Sequence, residues 1–107
     1  ILGRTEEKIS LPADIVGSVE GKSSLARLGL SIHQTGGWID AGFSGTITLE
    51  FYNCSPNPIL LKAGMPIAQI VFFQTAESET PYGNRGSSKY QNQVSATLSR
   101  YYKNRRV

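Results

Sequence analysis

Glycine and proline fall so regularly along this chain that the segments between them are short, and most carry the alternating or β-branched pattern of strands. Eleven glycines and five prolines divide the 107 residues. Lys8 to Leu11 and Ile15 to Glu20 read as strands on either side of Pro12-Ala13-Asp14, and Leu30 to Gln34 as a third. Thr46 to Asn53 alternates, with Ile47, Leu49 and Phe51 on one face and Thr46, Thr48, Glu50 and Tyr52 on the other. Ile59 to Leu61 is a further short strand between turns at Pro56-Asn57-Pro58 and Ala63-Gly64-Met65-Pro66. Ile67 to Phe73 is a continuous apolar run broken only by Gln69, a pattern that predicts burial on both faces and leaves Gln69 either hydrogen-bonded in the core or functional. The one predicted helix is Leu25-Ala26-Arg27-Leu28-Gly29, with Ser23 and Ser24 as its N-cap and Gly29 as its stop. The expected fold class is mostly β with one short helix.

A chain of 107 residues with 39% hydrophobic side chains makes one compact domain, spanning 1–107, and not two. The net charge of +3 and pI near 9.2 favour anionic partners only weakly. Charges are interspersed except for Lys103, Arg105 and Arg106, read as a solvated, partly disordered tail, so no nucleic-acid partner is expected. Cys54, the single cysteine, has no internal disulfide partner and is expected to be reduced and partly buried. No apolar run approaches the ~18 residues of a membrane span, and no signal-peptide pattern is visible, which predicts a soluble cytoplasmic protein. From Ala76 to Gln93 the chain is rich in Ser, Gly, Asn, Glu and Lys, which predicts a long mobile segment whose order depends on a ligand.

Several residues carry chemistry. Ser23, Ser24 and Arg27 lie where backbone N–H groups and a guanidinium can converge on an anion. Arg27 reads equally as a surface ion-pair partner. Thr35-Gly36-Gly37 must turn sharply, and the glycine-rich Trp38 to Gly45 suggests positive φ or close approach of the backbone to a ligand or another strand. Asp40 reads as a turn cap or a site residue, and Trp38 and Phe43 as packing or pocket aromatics. Glu50, alone among apolar and β-branched neighbours and pointing off their face, is either a solvated strand carboxylate or a reactive one.

Four blocks in fixed order, GKSSLARLGL, GWIDAGFSGTITLEF, AGMPIAQIVF and PYGNRGSSKYQNQ, resemble the dCTP deaminase family over about Leu2 to Lys103. The related trimeric dUTPases share the serine pair, the ID-x-x-[FY]-x-G segment and the G-x-x-I-A-Q strand. The resemblance implies a distorted β-barrel or jelly-roll-like dUTPase-type fold and a homotrimer with active sites shared between neighbouring subunits. The implied ligands are dCTP, and also dUTP and dTTP, with Mg²⁺ bound through the triphosphate and no protein metal ligands. The implied reaction is hydrolytic deamination of dCTP to dUTP in pyrimidine deoxynucleotide metabolism, supplying dUMP for dTMP synthesis. The alternative is a bifunctional enzyme that goes on to dUMP and pyrophosphate, which HQTGGWIDAGF, without a basic residue at Trp38, resembles. A plain dUTPase and a catalytically silent nucleotide-binding module are the remaining readings.

Deamination needs a water activated at C4 of cytosine and a proton for the departing amine. His33 is the only histidine and Cys54 the only cysteine, so the zinc site of other deaminases cannot be built from one chain and a zinc-independent mechanism is expected. By resemblance Glu50, in the T-L-E segment, is the acid/base, and Ser23 and Arg27 position the water and the exocyclic amine. The same resemblance implies that the Gly36 carbonyl faces that water, that Asp40 lies beside sugar and base, and that Lys22, Ser23 and Ser24 sit near phosphate oxygens. Tyr82, Lys89, Tyr90 and Gln93 match positions that close over the nucleotide within a C-terminal segment 75–107, assisted by Arg85 and Gly86-Ser87-Ser88. Lys22 replaces the family's usual arginine with a point charge, and Ala41 replaces a frequent proline. Family members also run beyond 107 residues and begin with a segment preceding Leu2-Gly3-Arg4-Thr5-Glu6, so the chain is expected to be a fragment.

Overall fold

The computed structural model describes residues 1–103; Arg105 and Arg106 of the basic tail lie outside them. In chain order the elements are β1 (Leu2–Ser10), β2 (Ile15–Gly21), α1 (Ser23–Ala26), β3 (Leu30–Ser31), β4 (Trp38–Ile39), β5 (Ser44–Glu50), β6 (Tyr52–Asn53) and β7 (Ala68–Gln74), then 3₁₀ turns at Tyr82–Asn84 and Tyr101–Lys103. Strands dominate and α1 is the one α-helix among the described residues, in line with the expected class. The sheets do not close into a barrel: β1 pairs with β5, β2 is flanked by β4 and β7, and β3 pairs with β6, all antiparallel.

β1 runs from Leu2 opposite Glu50 to Ser10 opposite Ser44, with its register broken between Arg4 and Lys8. There the Thr5 hydroxyl oxygen accepts from Ile47 N–H at 2.9 Å, a side chain standing in for a ladder partner. The strand runs Leu2–Ser10 and not Lys8 to Leu11: its charged residues Arg4, Glu6, Glu7 and Lys8 are all exposed, the adjacent Glu6 and Glu7 falling where the register is broken. Leu11, Val19, Leu30, Ile32, Ile39, Phe43 and Leu49 form the buried core between the sheets.

Other expectations change. The Lys22 carbonyl accepts from Leu25 and Ala26 N–H at 3.0 and 2.9 Å, so Lys22 is the N-cap and no side chain caps α1; Ser23 and Ser24 lie within its first turn. The helix is shifted from the expected Leu25 to Gly29: α1 ends at Ala26 with Arg27 as its C-cap, and Gly29, with a left-handed φ of +101°, ends the turn that follows it. Only Leu30–Ser31 of Leu30 to Gln34 is strand, and Ile59 to Leu61 is irregular. Cys54 is exposed, not partly buried. β7 is an edge strand, so the apolar run that predicted burial on both faces leaves Val71, Phe72 and Phe73 exposed at 41, 55 and 47%. Gln69 is exposed as well and reaches the Gly21 carbonyl only at 3.4 Å. Among the described residues, no helix is long and apolar enough to cross a membrane.

Candidate active site

The face of β5 that alternation turns away from the core is not left to solvent. Gln93 comes down beside it: Thr46 N–H and Oγ1 donate to the Gln93 carbonyl at 2.9 and 3.1 Å, and Gln93 Nε2 donates to the Thr46 carbonyl at 2.7 Å. Thr48 Oγ1 donates to Gln93 Oε1 at 3.4 Å and accepts from Thr97 N–H at 3.2 Å. Thr46 is consequently buried, with 5% exposure, against the simple alternation.

Next to Thr48 on this face stands Glu50, in the wall of a cavity of about 550 Å³. Gly36, Trp38 and Asp40 line it from the turn and strand β4, and Tyr82, Tyr90, Gln93, Thr97 and Ser99 from the C-terminal segment. Glu50 Oε2 is buried and has no hydrogen-bond partner among the described residues. A buried polar atom left unpaired is destabilising, so this oxygen is one that a hydrogen-bond donor from outside the described residues would stabilise.

Tyr82 organises the opposite wall. Its N–H donates to the Ala41 carbonyl at 2.8 Å and its ring meets Phe43 edge-on at 5.4 Å. Its hydroxyl oxygen accepts from the N–H groups of Lys89 and Tyr90 at 3.1 and 2.9 Å, and Ser88 Oγ donates to its carbonyl. Tyr90 in turn accepts from Arg100 N–H through its hydroxyl at 3.0 Å, with the Arg100 guanidinium 5.8 Å over its ring. Hydroxyl and amide side chains thus bond the backbone along this polar segment, where no apolar pattern exists. Arg85 Nη1 donates to Asp40 Oδ2 at 3.0 Å, an ion pair across the rim.

Of the expected site residues, the structure therefore brings Gly36, Asp40, Glu50, Tyr82, Tyr90 and Gln93 together. Lys22, Ser23, Ser24 and Arg27 do not join them: all four are exposed on or beside α1 and none lines the cavity. Lys89 does not line it either; its ammonium lies 6.0 Å from the Tyr101 ring centroid. Thr48, Thr97 and Ser99 line the cavity without having been singled out. For Thr48 the signal was its position two residues before Glu50 on the same face; for Thr97 and Ser99 the sequence carried none. Among the described residues, no three His, Cys, Asp or Glu side chains converge as a metal site.

Comparison with known proteins gives a consistent picture. A family model described as dCTP deaminase-like matches residues 1–75. A protein of Methanosphaerula palustris named dCTP deaminase, dUMP-forming, is 56% identical over 106 residues, covering 99% of this chain and 57% of the relative. A protein of the same name from Methanoculleus marisnigri is 57% identical over 99% of this chain and 57% of the relative. A third, from Mycobacterium ulcerans, is 54% identical over 97% of this chain and 56% of the relative. The chain thus spans little more than half the length of these relatives. Their names also correct the expectation that the reaction stops at dUTP, since each specifies dUMP. The deamination residues that suggested dUTP would be common to both outcomes and say nothing about the later phosphate step. With a family model matched over most of its length and relatives this similar, the chain belongs to the dCTP deaminase-like family.

Proposed function

We propose that the protein containing this chain converts dCTP to dUMP, deaminating cytosine and then releasing pyrophosphate. The observation that carries this reading is the buried, unpartnered Oε2 of Glu50 in a cavity large enough for a pyrimidine nucleoside. Glu50 takes a proton from water as its oxygen adds to C4 and passes it to the ring nitrogen, then takes the second proton from the C4 hydroxyl and passes it to the amine, so that the C4–N bond breaks, ammonia leaves and uracil remains. The Gly36 carbonyl orients that water, and Asp40, Tyr82 and Gln93 hold the nucleoside. A second water then attacks the α-phosphate, with pyrophosphate as leaving group. Mg²⁺ carried by the triphosphate would supply charge neutralisation there and would need no carboxylate ligands from the chain. Lys89, and Lys22 from a neighbouring copy, are the cations offered to those phosphates, and the C-terminal segment from Thr75 closes over the bound nucleotide.

Ser23, Ser24 and Arg27 enter this scheme from a neighbouring copy. Supporting that arrangement, these residues are exposed on α1 and absent from the wall of the cavity that holds Glu50. A cyclic homotrimer places one copy's α1 against the next copy's cavity without leaving either set unused.

Incubation with dCTP and Mg²⁺, followed by ion-exchange separation of nucleotides, tests the reading. Equal amounts of dUMP, pyrophosphate and ammonia are expected, with little free dUTP. Accumulating dUTP would overturn the second step, and unchanged dCTP without measurable binding would overturn the enzyme reading.

A further inference from the structure

Asp40 follows β4 in the cavity wall, and one of its carboxylate oxygens is already engaged. The Arg85 guanidinium that donates to Oδ2 through Nη1 at 3.0 Å also donates through Nε to the Thr80 carbonyl at 2.7 Å. Two anchors in different directions fix the plane of the fork, and a fixed fork fixes the carboxylate it holds. Asp40 Oδ1 has no partner among the described residues. The two side chains are 35 and 38% exposed, so the pair adds little to stability, and orientation is the contribution left to it.

Arg85 is itself carried by the segment that builds the opposite wall. It ends the 3₁₀ turn Tyr82–Asn84, its N–H donates to the Tyr82 carbonyl at 3.3 Å, and its own carbonyl accepts from Ser88 N–H at 3.2 Å. The ion pair is therefore a direct polar tie between the strand side of the cavity and the C-terminal side. We propose that Arg85 is a positioning residue for nucleotide binding: by holding Oδ2 it presents Asp40 Oδ1 to a hydroxyl donor on the nucleotide. This role rests on the nucleotide reading given above. It requires that Arg85 act only through Asp40, and that it affect binding more than the chemical step.

KM and kcat for dCTP in the wild type, R85Q, R85K, D40N and the R85Q/D40N double variant test this. Releasing a carboxylate that accepts one hydrogen bond from the ligand is expected to raise KM ~10-fold in R85Q, with kcat changed less than ~3-fold. R85K, which keeps the charge but not the fork, should recover part of that loss. In the D40N background R85Q should add nothing, since the group it positions is already altered. If D40N turns over too slowly, dCTP affinity measured by calorimetry in an E50Q background reads the same coupling. An unchanged KM in R85Q overturns the role. An equal rise in KM in both backgrounds also overturns it, because Arg85 would then touch the nucleotide directly. A wild type that neither binds nor converts dCTP takes down the nucleotide reading itself, and does so before any variant is compared.

Discussion

At the scale of single residues, the most consequential atom is Glu50 Oε2, buried and without a partner among the described residues. Burying a carboxylate oxygen without a donor is costly, and the cost is offset only when a ligand or its water supplies one. Glu50→Gln keeps the shape and removes the proton transfer. Turnover of dCTP is expected to fall ~10²–10⁴-fold while affinity changes by no more than a few fold, measured by product release and by calorimetry. Loss of affinity in step with turnover would mean that Glu50 holds the nucleotide and does not move protons. Gly42 makes a second residue-level case. Its φ is +82°, and a Cβ there would lie 2.5 Å from Pro81 Cβ and 2.9 Å from Tyr82 N. Gly42→Ala is expected to destabilise the fold by ~1–3 kcal/mol, read as a lower urea midpoint, because both the backbone and its neighbours would have to move. Alternation alone places Glu50 off the apolar face. What it does not reveal is the cover over that face, since Gln93 and Thr97 reach β5 from 47 and 49 residues away, and no local pattern encodes a contact of that span.

At the scale of elements, the C-terminal segment behaves as a wall built around one hydroxyl. Tyr82 accepts the N–H groups of both Lys89 and Tyr90 and carries the ring that packs on Phe43. Tyr82→Phe keeps the ring contact and leaves two part-buried N–H groups unpaired. A loss of ~1–3 kcal/mol is expected, together with faster hydrogen exchange at the Lys89 and Tyr90 amides and unchanged exchange in β2. Equal acceleration in β2 would show that the segment is not a separable unit. The bonds of this stretch were not legible in its polar composition, since sequence periodicity reports apolar faces and is blind to side chains that bond the backbone. The strands with a clear pattern, β2 and β5, were legible for the opposite reason: their apolar residues face a core within this chain. β7 was half legible, as a strand but not in its surroundings, because Val71, Phe72 and Phe73 stay exposed among the described residues and an apolar run alone does not say what covers it.

At the scale of the whole molecule, two features lack a counterpart within one copy. Trp38, 58% exposed, stacks on Phe73 at 6.0 Å, beside the exposed Val71 and Phe72. Ser23 and Arg27 are exposed on α1, away from the cavity that contains Glu50. The proposed site divided between copies would account for the second feature, and an interface over β4 and β7 would account for the first. Subunit mixing discriminates this from a site formed inside one chain. Glu50→Gln and Arg27→Ala proteins, each inactive alone, are denatured together in equal amounts, refolded and assayed with dCTP. If every site takes Glu50 from one copy and Arg27 from its neighbour in a cyclic assembly, random mixing leaves about a quarter of the sites with both native residues, and about a quarter of wild-type turnover returns. If each chain builds its own site, no combination restores both residues and the mixture stays inactive. Because Arg27 is exposed and tied to no side-chain partner among the described residues, its loss should not disturb folding, so recovered activity would report the assembly of the site and not a rescued fold.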